Sequence, residues 1–349
     1  MKKLTSVLLA LVLVFASLAL PAAAENAGVV NVFNWEDYIC EDVLQMFEQE
    51  TGIKVNYMRF TTNEDMMVQV RADSSKFDVV FPSDYCIERL AAEGLLEEID
   101  FSKITNFNQI ADNLLNPDYD KENKYSIPYM WGTVGILYNS TMVKEPITSW
   151  ASLFDGSYPN NIFMMDSIRD SMGVALKYLG YSMNSKNPLE LEAAKEVLVK
   201  QKKDGLVKAY QVDETKDKMV AGEAALGVMW TGDALYAIDL NPDLEYVIPE
   251  EGSNIWVDGM VIPKNAENYE NALKFIDFLC RPDIAKMNCE EIWYSCPNKG
   301  AIELMGSDYI DNLDINPPEE IIEKCEFFSD VNDVLPIYTA LWNEVKNSK

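Results

Sequence analysis

Residues 29–60 read VVNVFNWEDYICEDVLQMFEQETGIKVNYMRF, and this stretch carries the pattern that decides the fold. Val29–Trp35 is mainly apolar and predicts a strand, whereas the apolar positions of Glu41–Glu50 recur on one face of a helix. Gly52 ends that helix, and Ile53–Arg59 predicts a second strand. A strand, a helix of about ten residues and another strand predict a βαβ unit with parallel strands.

The same alternation continues along the chain. We expect Asn63 to cap a helix that runs towards Ala72, and Phe77–Phe81 to form a buried strand. Two longer apolar segments, residues 130–138 and 255–262, predict extended chain that leaves one lobe and later returns to it. The sequence therefore predicts an α/β protein of two lobes, each a mainly parallel sheet flanked by helices. We assign residues 25–134 and 259–310 to lobe 1, and residues 135–258 and 311–349 to lobe 2.

The first residues have the composition of a secretory signal. Two lysines precede the apolar run Leu4–Leu20, and small residues lead to Ala24. We expect a signal peptide over residues 1–24, cleaved after Ala24, and an exported, periplasmic protein. The alternative is an uncleaved membrane anchor, but the run is short for a bilayer span and no positive stop follows it. Because no cysteine stands at the cleavage site, we expect no lipid anchor.

The charge of the chain narrows the classes of partner. It carries 29 Lys and Arg against 57 Asp and Glu, a net charge of −28, and no histidine. Such a field repels nucleic acid and concentrates cations, although solubility alone is a plainer explanation. The absence of histidine removes the commonest general base and transition-metal ligand. The six cysteines form no CxxC pair, so we expect no zinc site, and the sequence leaves their pairing open.

Aromatic and acidic residues stand together at several predicted strand ends, where open α/β sheets bind ligands. The candidate ligand-binding residues are Trp35, Glu36, Asp37, Tyr38, Ser83, Asp84, Tyr85, Asp166, Trp230, Asp233, Trp256 and Asp258. Aromatic faces can bury methylene groups and attract ammonium groups, and carboxylates can neutralise those ammonium groups. Each residue alone has a plainer explanation, since tryptophans pack in cores and aspartates cap helices. Their coincidence on several strands favours a site for an organic cation.

Motifs of catalysis are missing. The segment from Gly227 to Gly232 is no phosphate loop because no GKS or GKT ending follows. No serine lies in a G-x-S-x-G turn, and no EF-hand loop is present. We therefore expect no catalytic residues, no metal and no cofactor. A secreted hydrolase such as a glycosidase stays open as a minor alternative.

Several segments resemble one family of transport proteins over nearly the whole mature chain. They are Asn34–Tyr38, Glu50–Val55, Pro82–Tyr85, Tyr125–Gly132, Thr148–Ala151, Leu179–Ser182, Met229–Gly232, Trp256–Asp258 and Arg281–Asp283. The chain is similar to the periplasmic spermidine/putrescine-binding receptors of bacterial ABC importers. The resemblance implies the two-lobed type II fold of periplasmic binding proteins, a hinged cleft, no enzymatic activity and a monomer. It also implies a polyamine ligand and a membrane permease as partners.

The resemblance also implies roles for individual residues. Asp258 resembles the family's principal carboxylate for an ammonium group, Tyr294 matches a further cleft tyrosine, and Asp170 stands where a glutamate is usual. Ser167 and Phe328 depart from the spermidine-binding pattern. We leave the choice between spermidine and putrescine open. A receptor for another small cationic solute or for an amino acid is the alternative, and Arg169 is the one candidate to hold a carboxylate.

Overall fold

The computed structural model describes residues 27–348, so the predicted signal segment lies outside the described residues. The strands are Val29–Trp35 (β1), Lys54–Phe60 (β2), Val79–Val80 (β3), Ser126–Asn139 (β4), Ile162–Met165 (β5), Val207–Gln211 (β6), Leu226–Trp230 (β7), Leu244–Val247 (β8) and Ile255–Val261 (β9). The longer helices are Glu41–Thr51 (α1), Asn63–Ala72 (α2), Asp84–Ala92 (α3), Ile168–Tyr178 (α4), Pro188–Lys203 (α5), Glu214–Val220 (α6), Thr231–Leu240 (α7), Tyr269–Leu279 (α8) and Pro282–Ile292 (α9). Towards the C-terminus follow Lys299–Met305 (α10), Ser307–Ile310 (α11), Glu319–Ile322 (α12) and Leu335–Asn347 (α13).

The strands form one curled sheet with the order β2-β1-β3-β9-β4-β7-β5-β6, and β8 also pairs with β4. The pairs that β1 makes with β2 and β3 are parallel, as are the pairs that β5 makes with β6 and β7. The pairs made by β4 and β9 are antiparallel. Two parallel groups are therefore joined through an antiparallel centre.

The long strand β4 belongs to both groups. Its residues 126–133 pair with β9, and its residues 134–139 pair with β7 and β8. We call the group of β2, β1, β3 and β9 the first half-sheet, and the group of β7, β5, β6 and β8 the second half-sheet. The two extended segments predicted from the sequence coincide with β4 and β9. The exact lobe bounds stay a prediction.

Each half-sheet has its own covering of helices. Phe47 of α1 packs edge-on against Phe275 and Phe278 of α8, with ring centroids 5.0 and 5.3 Å apart, and this pair of helices covers the first half-sheet. On the second half-sheet, α4, α5 and α13 pack together through buried residues such as Leu191 and Tyr338. Among residues 27–348, no helix is both long enough and apolar enough to cross a membrane.

Two local predictions differ from the structure. The helix α2 is capped by Thr62, whose hydroxyl accepts a hydrogen bond from the Asp65 backbone N–H at 3.1 Å, and not by Asn63. Asn63 is buried and donates its side-chain amide to the Ser83 hydroxyl at 3.0 Å. The strand predicted over Phe77–Phe81 is only two residues long. Asn63 thereby helps to position a loop of the candidate site instead of a helix end.

The chain that leads into β9 is fixed by buried hydrogen bonds. The Trp150 indole N–H donates to the Gly252 carbonyl at 2.9 Å, and the Ser253 hydroxyl donates to the Val134 carbonyl at 2.6 Å. Asn254 donates to the Glu326 carbonyl at 3.0 Å. Gly252 has φ +85°, and a Cβ there would stand 2.0 Å from the Lys324 carbonyl oxygen. Only glycine fits this position.

We expect Gly252→Ala to lower the free energy of unfolding by about 3 kcal/mol or more, because strain at positive φ adds to a backbone overlap. Gly156→Ala is the matched control, since Gly156 has φ +88° and nothing within 4 Å of an added Cβ. It should cost about 1 kcal/mol, the strain alone. Urea unfolding of the three proteins measures both values. Equal losses in the two variants would mean that the overlap at residue 252 is relieved without cost.

Candidate ligand-binding site

The predicted site residues come from strand ends that meet at one region of the sheet. Trp35 ends β1, Trp230 ends β7, and Asp84 begins α3 directly after β3. Asp258 lies on β9, between β3 and β4, and forms an isolated antiparallel bridge with Ser83. The order of the strands therefore brings together residues that are far apart in the sequence.

Tyr294 lies at the centre of a group of aromatic rings. Its ring centroid is 5.0 Å from that of Trp256 and 5.7 Å from that of Tyr38, and both contacts are edge-on. The Tyr129 hydroxyl donates to the Tyr38 carbonyl at 2.8 Å and holds the loop after β1 in place. The Tyr38 hydroxyl and the Trp256 indole N–H are buried, and neither forms a hydrogen bond within the part of the chain that the structure describes. Unpaired buried donors are costly, so these two groups are available to a ligand.

Two glycines make room for these rings, and the sequence analysis missed both. Gly132 pairs with Trp256 across β4 and β9, and a Cβ on Gly132 would stand 2.7 Å from the indole ring. A Cβ on Gly232, in the first turn of α7, would stand 2.5 Å from the Tyr294 ring. Spacing along the sequence gives no sign of such contacts. The resemblance pointed to segments containing both glycines, which is the one signal that could have found them.

Asp258 is the central carboxylate of the site. It is only 5% exposed, and its Oδ1 atom has no hydrogen-bond partner. Burial raises the pKa of Asp258 to about 6, although the nearby hydroxyls of Ser83 and Tyr38 partly offset this shift. At neutral pH the group is still ionised, and no basic side chain among residues 27–348 forms an ion pair with it. A buried carboxylate of this kind is suited to an ammonium group.

Asp84 and Asp170 lie next to a buried guanidinium. Asp84 is fully buried, and burial raises the pKa of its carboxyl, while one oxygen accepts the Tyr85 backbone N–H at 2.7 Å. Burial also raises the pKa of Asp170, which accepts a hydrogen bond from the Ser167 hydroxyl. Arg169 lowers both pKa values through its charge. Ser167 is thus the cap of α4.

Arg169 is held by its surroundings instead of facing an open cleft. Its guanidinium stacks 4.3 Å from the ring centroid of Phe328 and 5.5 Å from that of Tyr85. It donates to the Ser329 carbonyl at 3.0 Å and to the Asn184 side chain at 2.9 Å. Both terminal nitrogens of its guanidinium are therefore committed to the protein, which disfavours binding of an amino-acid carboxylate at that end of Arg169. Its buried Nε atom forms no hydrogen bond among the described residues.

The remaining carboxylates have different settings. Asp233 accepts a hydrogen bond from the Lys216 ammonium at 3.2 Å, and burial raises its pKa while Lys216 and Tyr294 lower it. Glu36 and Asp37 are exposed at the end of β1, and Asp37 has φ 48°. The structure does not bring Asp166 into the group, because its exposed carboxylate pairs with Lys346 of α13 at 2.7 Å.

A groove of about 400 Å³ lies beside Tyr38. It is lined by Asp37, Tyr38, Ile39, Cys40, Glu41, Asp42, Tyr57, Arg59, Glu291 and Ile292. Four of these side chains are acidic and one is basic, and Arg59 is 3.6 Å from Glu41. The surroundings of the aromatic group are therefore electronegative on this side. Together, the rings and carboxylates form a setting for a slender organic cation.

Comparison with known proteins places the chain in a family. Residues 42–314 match the family described as bacterial extracellular solute-binding protein, which is more than half of the sequence. The chain belongs to this family. The prediction of a periplasmic-binding-protein fold with two parallel groups of strands is confirmed by the solved relatives of this solute-binding protein.

Relatives of this solute-binding protein bind polyamines according to their names. It is 37% identical to the spermidine/putrescine-binding periplasmic protein of Salmonella typhimurium, over 93% of each chain. It is 32% identical to the putrescine-binding periplasmic protein SpuD of Pseudomonas aeruginosa, over 100% of each chain. The substrate-binding protein of the spermidine/putrescine ABC transporter of Streptococcus pneumoniae has 37% identity and a TM-score of 0.82, and the match covers 91% of this chain and 98% of that chain.

Proposed function

We propose that this protein is a receptor that binds putrescine or spermidine between its two lobes, delivers it to an ABC import permease, and performs no chemistry on it. The observation that carries the proposal is Asp258. A buried carboxylate without a cationic partner, surrounded by the rings of Tyr38, Trp256 and Tyr294, matches an ammonium group at the end of a methylene chain. The relatives with polyamine-binding names support the choice of ligand.

Binding is proposed to close the lobes. Residues 25–134 and 259–310 would form lobe 1, and residues 135–258 and 311–349 lobe 2. In this division, contacts between α3 and the segment before α13 would join the two lobes, since Arg89 is 3.5 Å from Asp330 and the Asp330 backbone N–H donates to Glu88 at 3.0 Å. A ligand that contacts both lobes shifts the population towards the closed form. The permease would then recognise that form.

The location of the protein follows from the same proposal. A receptor of this kind works outside the cytoplasmic membrane, and the relatives are named as periplasmic proteins. Export would use the predicted signal peptide, cleaved after Ala24 without a lipid anchor. We further propose that the protein acts as a monomer.

Calorimetric titration with putrescine and spermidine tests the function. We expect saturable binding of each amine at one site. We expect no binding of γ-aminobutyrate, because its carboxylate would take the place of the second ammonium group of putrescine among acidic side chains. Mass spectrometry of small molecules that copurify with the native protein provides a second test without a chosen ligand. A protein that gives no heat and no thermal shift with either polyamine does not have this function.

The pH dependence of affinity tests the role of Asp258. Because the ligand binds the ionised carboxylate and the pKa of Asp258 is about 6, affinity should fall by up to about tenfold for each pH unit below that value. The amines keep their charge over this range, so the group whose protonation changes belongs to the protein and not to the ligand. Titrations between pH 8 and pH 4.5 measure the effect. Affinity that stays constant down to pH 5 contradicts the assignment.

A further inference from the structure

The carboxylates of the site differ in whether the protein itself neutralises them. Asp258 has no basic partner among the described residues, whereas Arg169 acts on Asp84 and Asp170 through its charge. Asp233 has a direct partner, the ammonium of Lys216, at 3.2 Å. The chain therefore supplies positive charge within the same site that is proposed to receive a positively charged ligand.

Lys216 presents the same chemistry as the proposed ligand. Its side chain is four methylene groups that end in an ammonium group, and it comes from α6 towards the N-terminus of α7. The ammonium lies 5.7 Å from the ring centroid of Tyr236 as well as against Asp233. Asp213 and Asp37 are close enough to stabilise its charge further. One aromatic ring and several carboxylates thus surround the Lys216 ammonium. The proposed site would surround an ammonium group of the ligand in the same manner.

Asp233 is connected to the aromatic group by Tyr294. The Tyr294 hydroxyl lies near the Asp233 carboxylate, and the Tyr294 ring packs against Gly232, which precedes Asp233 in the sequence. The same ring contacts Trp256 and Tyr38. A ligand bound among these rings therefore lies within the electrostatic range of Lys216.

We propose that Lys216 is a resident counter-ion of Asp233 that competes with the ligand and so limits the number of positive charges that the site accepts. The inference rests on the proposed function and concerns the specificity of the same site. Repulsion between Lys216 and a ligand grows with each ammonium group on the ligand. A triamine is therefore penalised more than a diamine, and a diamine more than a monoamine.

Lys216→Met tests this inference, because methionine keeps a long apolar side chain and removes the charge. We expect the affinity for spermidine to rise at least tenfold, which corresponds to about 1.4 kcal/mol. The affinity for putrescine should rise less, and that for butylamine, which has one charge on the same carbon chain, least of all. Calorimetry at one ionic strength measures the three ligands, and thermal unfolding verifies that each variant folds.

Two control variants separate charge from structure. Lys218→Met removes a lysine from the same helix, but Lys218 donates to Gln211 at 2.6 Å and lies near Phe163, away from the site. Its affinities should equal those of the wild type. Lys216→Arg, which keeps the charge, should keep the wild-type order of preference among the three amines. An affinity rise in Lys216→Met that follows ligand charge supports the inference. No rise, or the same rise for all three amines, overturns it.

The outcomes also distinguish the inference from the proposed function. Wild-type protein that binds neither putrescine nor spermidine refutes both. Wild-type protein that binds them with the same charge preference as Lys216→Met refutes only the role of Lys216.

Discussion

Asp258→Asn is expected to weaken polyamine binding by at least about a hundredfold and, at the same time, to stabilise the ligand-free protein. The loss of affinity follows from removal of a buried charge that pairs with an ammonium group, for which about 2–5 kcal/mol is typical. The gain in stability follows from burial of that charge, because the hydroxyls of Ser83 and Tyr38 offset the cost only in part and no basic side chain among residues 27–348 pairs with it. Few substitutions that only damage a fold would produce this combination.

The pKa of Asp258 gives the size and the sign of the stability change. Burial raises the pKa from its ordinary value of 3.8 to about 6, so the folded state holds the proton more tightly than the unfolded state. The stabilisation by this proton is complete below about pH 4 and is lost as the pH rises through 6. At pH 7 the ionised group thus costs about 3 kcal/mol relative to its neutral form. Asparagine, which is neutral at every pH, should recover part of that cost.

Asp78→Asn is the matched control. Asp78 is also fully buried, but its carboxylate accepts backbone N–H groups of Asn31 at 2.7 Å and of Asn268 at 2.8 Å. The side-chain amide of asparagine would place its own N–H donors against one of these backbone N–H groups. We therefore expect lower stability and unchanged affinity. Calorimetry and thermal unfolding at pH 7 give both quantities for each variant. Polyamine binding that survives Asp258→Asn would remove the basis of the proposed site.

Gly232→Ala is expected to reduce polyamine affinity by about tenfold to a hundredfold with only a small change in stability. The added methyl group would stand 2.5 Å from the Tyr294 ring and displace it from Trp256. Alanine favours the helix by up to about 1 kcal/mol, which partly offsets the overlap in the free protein. The affinity loss therefore reports on the ring position rather than on folding.

Gly173→Ala is the control for this substitution. Gly173 is also helical, and its added methyl group would meet the flexible end of Met183 at 2.7 Å. We expect an affinity near that of the wild type, since Met183 can move without disturbing the aromatic group. Calorimetry compares the two variants, and their tyrosine and tryptophan fluorescence reports the ring environment. Wild-type affinity in Gly232→Ala would show that the position of the Tyr294 ring does not matter for binding.

The sequence predicts the parts of the fold in which local signals agree. Helix α5 begins at Pro188 after an Asn187 cap, and an asparagine cap followed by proline at the first helical position is a strong local signal for the start of a helix. The strand β6, by contrast, is a short edge strand with mixed burial, and its sequence VKAYQ has no clear alternation. Helix α7 follows β7 without any loop and starts with Thr231-Gly232, so no turn signal separates the two elements. Such boundaries depend on tertiary packing instead of local propensity.

The candidate site likewise has features that the sequence predicts and features that only the folded structure reveals. Trp35 was predictable because it ends β1, and open α/β sheets bind ligands at the ends of parallel strands. Trp256 and Asp258 lie within β9, whose pairs are antiparallel, so the rule of parallel strand ends does not account for their place in the site. The ion pairs of Asp166 with Lys346 and of Asp233 with Lys216 were not predictable, since the partners are 180 and 17 residues apart in the sequence. Which carboxylates remain free for a ligand is a property of the folded chain alone.

The strand β4 has a consequence for engineering. The single strand β4 pairs with both half-sheets. A chimera that takes one half-sheet from another receptor would therefore join the two sequences within this fourteen-residue strand. Each parent receptor would then contribute part of β4, and the pairing register of that part would depend on the sequence of the other parent. Recombination between receptors of this type is therefore better done at the loops that carry the ligand contacts, which leaves the shared backbone whole.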